Sequence, residues 1–287
     1  MAEAVEIFEV GPRDGLQNEA RAIPVTEKVD LIDALSAAGF QRIEVGSFVS
    51  PKWVPQMAGS AEVLAGIKRR PGIAYAVLTP NMRGFEDAVA AGADEVAVFA
   101  SASEGFSQAN INCSVAESIA RFRPILAAAQ AMGVKVRGYV SCVIACPYDG
   151  KTAPERVADV AGILASEGCY EVSLGDTIGA GTPETVTAML EAVTSRVPPE
   201  TLAGHFHDTG ARALDNIAVS LDAGLRVFDA AVGGLGGCPF APGSAGNVAT
   251  EAVDAMLRSD GWTTGLDAEK LRRAAALAQD MRGSHAV

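Results

Sequence analysis

Long apolar runs are missing. No stretch near 18 residues is continuously apolar, which leaves no candidate transmembrane helix. The opening MAEAVEIFEV has no basic flank ahead of an apolar segment, so no export signal is read there and a soluble, cytoplasmic protein is expected. Positive charge is also in short supply. Thirty-five Asp and Glu against 23 Lys and Arg give a formal net charge of −12, which argues against a nucleic-acid surface and a polybasic membrane patch. The five cysteines, Cys113, Cys142, Cys146, Cys169 and Cys238, are odd in number and form no CxxC pair, so neither a disulfide framework nor a thiolate zinc site is expected. No GxGxxG follows the first strand-like segment, and nothing is low in complexity.

What is present is a repeating unit. A short β-branched run, a loop, an amphipathic helix and a stopping glycine recur along 287 residues. Strands are expected at Val5–Val10, Arg42–Phe48, Ile73–Leu78, Glu95–Ala100, Lys135–Val143, Glu171–Gly175, Leu202–Asp208 and Val227–Val232. The intervening helices include one from Glu27 capped by Thr26, one over 60–69, one from Ser114 after a long loop, one opened by Pro183, and one opened by Asn247. Eight units in strict alternation imply parallel strands with right-handed crossovers, and eight closes a ring. The expected fold is therefore a single (β/α)8 TIM barrel over the whole chain, with the barrel at about 5–260 and one extra C-terminal helix at about 267–283 as a cover or oligomer contact. An open doubly wound sheet is the structural alternative.

Such barrels keep their chemistry at the C-terminal ends of the strands. Two of the chain's three histidines, His205 and His207, stand two apart in LAGHFHD and face the same way from one strand. Packed core histidines would explain the pair, but neutral imidazoles on one stiff face also make half a coordination sphere. Ring closure sets strands seven, eight and one side by side, so Asp14 and Asn247 can join the histidines. That set favours Mg²⁺, Mn²⁺ or a similar ion over a thiolate-bound zinc. Arg13 beside Asp14 is either a barrel-end ion pair or a guanidinium for a developing oxyanion, and Glu44 either orients Arg13 or balances charge. Asp176 could be a base, a partner of a histidine, or a helix cap. The loop with Gly233, Gly234, Gly236 and Gly237 reads as a phosphate cradle or as a mobile lid carrying Cys238. Cys142 and Cys146 read as inert core thiols, and His285 as a tail residue without a role. Lys52, Arg83 and Lys151 are scattered bases near strand-end loops.

Three motifs carry a resemblance. GPRDGLQNE at 11–19, HFHDT at 205–209 and GGLGGCPFAPGSAGN at 233–247 resemble the hydroxymethylglutaryl-CoA lyase family of metal-dependent aldolase-like TIM barrels. The similarity runs from Val5 to the last helices, with GLGGCP its most specific part. The resemblance implies a divalent ion (Mg²⁺ or Mn²⁺) on Asp14, His205, His207 and Asn247, and Arg13 as enolate stabiliser held by Glu44. It further implies Cys238 as the lid cysteine, Asp176 near the reaction, and substrate contacts at Arg13, Gln17, Ser47, Tyr139 and Thr177. It also implies an acyl-CoA substrate cleaved to acetyl-CoA and acetoacetate, and a homodimer. Gly233 departs from the alanine common in the family, which is expected to change only lid flexibility. The alternatives are a related acyl-CoA condensing synthase, a hydroxy-oxo-acid aldolase, or an acyl-CoA or metal-binding barrel without turnover.

Overall fold

A computed structural model of the chain describes residues 3–236 and 246–282. Its elements in chain order are β1 (Glu6–Glu9), α1 (Val25–Ala38), β2 (Arg42–Ser47), α2 (Ser60–Gly66), β3 (Ala74–Leu78), α3 (Met82–Ala90), β4 (Glu95–Ser101), α4 (Glu104–Ile111), α5 (Val115–Met132), β5 (Lys135–Ser141), β6 (Ala145–Cys146) and β7 (Gly150–Lys151). There follow α6 (Pro154–Ser166), β8 (Glu171–Asp176), α7 (Pro183–Thr194), β9 (Leu202–Phe206), α8 (Ala213–Asp222), β10 (Val227–Ala230), α9 (Thr250–Ser259) and α10 (Ala268–Met281). Eight strands close in the order β1-β10-β9-β8-β5-β4-β3-β2. Every pairing in the ring is parallel, and β1 joins both β10 and β2. The fold is a TIM barrel, so the open-sheet alternative falls.

Local chemistry explains most boundaries. Ser114 and Glu117 form a capping box at α5, and Gly133, at φ 69°, stops it in the left-handed conformation that a Cβ disfavours. Four expectations need correction. Thr26 does not cap α1: the chain enters two residues earlier from Pro24, whose carbonyl accepts from the Lys28 N–H. The long loop after β4 contains α4, capped by Ser103. The loop after β5 contains the antiparallel β6–β7 hairpin, too short for a periodicity signal. Asn247 does not open α9, which starts at Thr250; it lies in an isolated bridge opposite His207.

Apolar side chains between the ring and the helices, among them Leu31, Val77, Phe122, Val172 and Phe228, make the continuous core. Inside the ring, the filling is partly ionic. Arg137 of β5 meets Asp229 of β10 at 2.7 and 3.0 Å. Those strands are not neighbours, so the contact crosses the lumen. Arg137 also donates to Glu171, and Arg42 spans Glu171 and Glu6. Phe8 lies under both guanidinium groups, 4.3 Å from Arg137 Cζ and 4.8 Å from Arg42 Cζ.

Helix α10 is a cover. It packs along α1, and Gln279 and Arg282 donate to the carbonyls of Gly233 and Gly234 at the base of the glycine loop. Glu251 accepts from the Gly233 N–H, so this glycine, at φ 65°, is held from both sides.

Candidate active site

The mouth is built from the ends of β1, β2, β5, β8, β9 and β10. After β1 the chain makes a wide helical turn, Gly11–Gly15, in which the N–H groups of Arg13, Asp14 and Gly15 all converge on the Val10 carbonyl. Glu9 fixes the turn from below. Its buried carboxyl accepts from the N–H groups of Gly11 and Val232 and from Thr250 Oγ1, tying β1 to the segments after β10. A Cβ on Gly11 would come 2.5 Å from Glu9 Oε1, so a larger residue there displaces the carboxyl that holds the turn. Burial outweighs those hydrogen bonds and raises the Glu9 pKa to about 7.

The turn delivers Arg13 and Asp14 together. Arg13 is buried; its Nε donates to Glu44 Oε2 and its Nη1 to Asp14 Oδ1, each at 2.6 Å. Tyr139 lies under it, with Cζ 5.5 Å from the ring centroid. Asp14 Oδ2 accepts from Asn247 Nδ2 at 2.8 Å and stands 4.0 Å from His205 Nε2. The rings of His205 and His207 are 5.5 Å apart, and one donor atom each from Asp14, His205 and His207 lies within 4.8 Å of the other two.

Electrostatics set these groups in distinct states. Burial works against the Asp14 carboxylate, but Arg13 and then the histidines hold its pKa down at about 2. Burial and the neighbouring His205 push His207 down to about 4, so it is neutral at pH 7. Burial would lower His205 as well; its bond to Asp229 overcomes that and raises it. Burial raises Glu44 despite Arg13.

Four buried side-chain atoms here have no hydrogen-bond partner: Glu44 Oε1, Tyr139 OH, His207 Nδ1 and Asn247 Oδ1. An unpaired buried polar atom carries a desolvation cost of about 1–3 kcal/mol. His207 Nδ1 and Asn247 Oδ1 are lone-pair donors, and together with Asp14 and His205 they fit a divalent cation of borderline-to-hard preference.

The remaining expected residues divide. Asp176 is fully buried and accepts from the N–H groups of Ala180 and Gly181, while Thr182 caps α7 itself; burial raises the Asp176 pKa. The cap reading of Asp176 is therefore replaced by a loop staple, and Asp229, rather than Asp176, is bonded to His205. Thr177 Oγ1 accepts from the Cys142 N–H, Ser47 Oγ accepts from the Val49 N–H, and Gln17 is half-buried just beyond the turn. Cys142 and Cys146 are buried against Phe106, and Cys146 Sγ accepts from Ser103 Oγ. Cys238, Gly237 and His285 lie outside the described residues. Lys52, Arg83 and Lys151 are exposed. The residues missed in the sequence are Glu9, Arg137, Ser173 and Asp229; for the three charged ones the available signal is a charge inside a mostly apolar strand, as in VFDAAV, and Ser173 offers none.

The HMGL-like family model matches residues 4–278. The chain belongs to the HMGL-like family. Within it, a 3-hydroxy-3-isohexenylglutaryl-CoA/hydroxymethylglutaryl-CoA lyase of Pseudomonas aeruginosa is 57% identical, over 100% of this chain and 97% of that protein. The crystal structure of the HMG-CoA lyase of Brucella melitensis superposes with a TM-score of 0.97 at 62% identity, covering 98% of this chain and 99% of that one. An Acinetobacter baumannii HMG-CoA lyase, solved with coenzyme A and 3-methylmalate, gives 0.93 at 38% identity, covering 98% and 92%. As an HMGL-like barrel, the chain has a possible metal site at Asp14, His205 and His207. Among the described residues no helix is long and apolar enough to cross a membrane.

Proposed function

We propose that this chain is a hydroxymethylglutaryl-CoA lyase, cleaving 3-hydroxy-3-methylglutaryl-CoA to acetyl-CoA and acetoacetate. The observation that carries the reading is the convergence of Asp14, His205 and His207 beside a buried Arg13 in a chain alike over its whole length to lyases of that name. Condensing synthases and oxo-acid aldolases are not favoured by those relatives.

Asp14, His205, His207 and Asn247 would hold the divalent ion, Mg²⁺ or Mn²⁺. When bound, the ion supplies Lewis-acid chemistry that acidifies the substrate's tertiary hydroxyl. Arg13 is positioned by Glu44 on one side and Asp14 on the other, so its guanidinium meets the negative charge that grows on the thioester oxygen as the C–C bond breaks. Fixing the fork beforehand removes the reorganisation a free arginine would need. Asp176, with its raised pKa, is the candidate to take the hydroxyl proton, and Cys238 to return a proton to the carbon of the acetyl-CoA enolate. Gln17, Ser47, Tyr139 and Thr177 would contact the acyl group. A cytosolic homodimer completes the reading.

The test is chelator-stripped protein with 3-hydroxy-3-methylglutaryl-CoA, with and without Mg²⁺ or Mn²⁺, following acetoacetate. Metal-dependent product that disappears in His207→Ala is expected; metal binding without product would end the substrate assignment. Cys238→Ala is expected to keep metal and substrate binding while losing turnover.

A further inference from the structure

A histidine can give a metal only the nitrogen that carries no proton, so for each ligand something must decide which nitrogen that is. The two histidines of the mouth differ here. His207 Nδ1 is buried without a partner. His205 Nδ1 lies 3.1 Å from Asp229 Oδ2, while its Nε2 is the nitrogen 4.0 Å from Asp14.

Asp229 has no freedom to act as anything but an acceptor. Arg137 donates to both of its oxygens, at 2.7 and 3.0 Å, and Ser173 Oγ donates to Oδ2 at 2.8 Å. Three donated hydrogen bonds define an ionised carboxylate, and a carboxylate with no proton can pair with His205 Nδ1 only if that nitrogen carries the hydrogen. The carboxylate is also immobile. Asp229 and His205 are register partners on adjacent strands, so the backbone fixes their spacing. Arg137, fully buried, is itself pinned by Glu171 at 2.6 Å and packed over the rings of Phe8 and Tyr139.

We infer that Asp229 is a positioning residue of the metal site: held by Arg137 and Ser173, it locks His205 in the Nδ1–H tautomer and turns the Nε2 lone pair toward Asp14 and the mouth. The inference rests on the metal reading of the previous section and deepens it. It also gives the lumenal ion pairs a purpose beyond neutralising one another, because the line Glu171–Arg137–Asp229–His205 runs from deep in the barrel to the site. Outer partners of this kind commonly contribute about 10- to 100-fold in metal affinity.

Two measurements test it. The first needs no substitution. With only three histidines in the chain, ring ¹⁵N spectra of the metal-free protein, recorded at alkaline pH where each ring carries one proton, are assignable with His207→Ala and His285→Gln. His205 is expected as the Nδ1–H form; an Nε2–H form overturns the proposal. The second compares Mn²⁺ binding, read as free Mn²⁺ by electron paramagnetic resonance, in the unsubstituted chain and in Arg137→Met/Asp229→Leu, which removes both buried charges together so that neither is stranded. Mn²⁺ affinity about 10- to 100-fold weaker, with loss of the Nδ1–H signal, is expected. Equal affinity in both chains would overturn the proposal alone and leave the metal site standing. No Mn²⁺ bound by the unsubstituted chain would overturn the metal reading and the proposal with it.

Discussion

The two ends of the barrel lumen hold similar groups in opposite conditions. At the floor, Glu6, Arg42, Glu171, Arg137 and Asp229 complete one another, and the recess of about 600 Å³ that opens there includes the paired Glu6, Arg42 and Glu171 in its lining. At the mouth, Glu44, Tyr139, His207 and Asn247 each keep a buried polar atom without a partner. Paired charges in a lumen hold a shape. Unpaired donors around Asp14 and Arg13 are a cost that folding alone does not recover, and a ligand is what would recover it. The contrast therefore separates residues that build the barrel from residues that await something.

Breaking the floor has the largest expected effect on stability. Arg137→Met takes from Asp229 its guanidinium partner, leaves Glu171 with Arg42 alone, and is expected to lower unfolding free energy by about 3–5 kcal/mol, read by urea unfolding. The double change Arg137→Met/Asp229→Leu should recover most of that loss, because it removes both charges. At the mouth the sign of the contrast reverses. Arg13→Lys gives up the fork that spans Glu44 and Asp14, and kcat is expected to fall about 10²- to 10³-fold while stability stays within about 1 kcal/mol.

Glu9 sharpens the comparison, since it stands near the mouth but is paired like a floor residue. Its folded pKa of about 7 exceeds the ordinary 4.5, so the stability carried by the neutral carboxyl is fully present below pH 4.5 and is lost as pH rises to about 7. Unfolding of the unsubstituted chain relative to Glu9→Gln should lose about 3 kcal/mol across that window. The smallest effect belongs to neither region. Arg83, 91% exposed and 3.9 Å from Asp87, should change stability by less than about 0.5 kcal/mol on substitution by Ala.

The barrel and most of the mouth were legible in the sequence for definite reasons. Strand alternation fixed the direction of His205 and His207, and the count of eight placed β1 next to β10, which brings Asp14 to His205 across 191 residues of chain. The sequence places Asn247 at the start of a helix and the structure sets it in a bridge, because a single bridge residue opposite His207 leaves no periodic trace. Arg137 and Asp229 leave little trace in the sequence, since each, in a mostly apolar strand, looks like an edge or surface charge until the ring closes and β5 faces β10. Asp176 shows the limit of motif reasoning: its place at a strand end was right, and only coordinates reveal that both of its oxygens hold the loop to Gly181.

The stability of the chelator-stripped protein with and without Mn²⁺ tests most directly whether the mouth is a cation site. At about 100 times the dissociation constant, Mn²⁺ should raise unfolding free energy by about 2.7 kcal/mol, and the gain should vanish in Asn247→Ala and His207→Ala. No stabilisation of the unsubstituted chain, or the same stabilisation in all three, would contradict a cation site there.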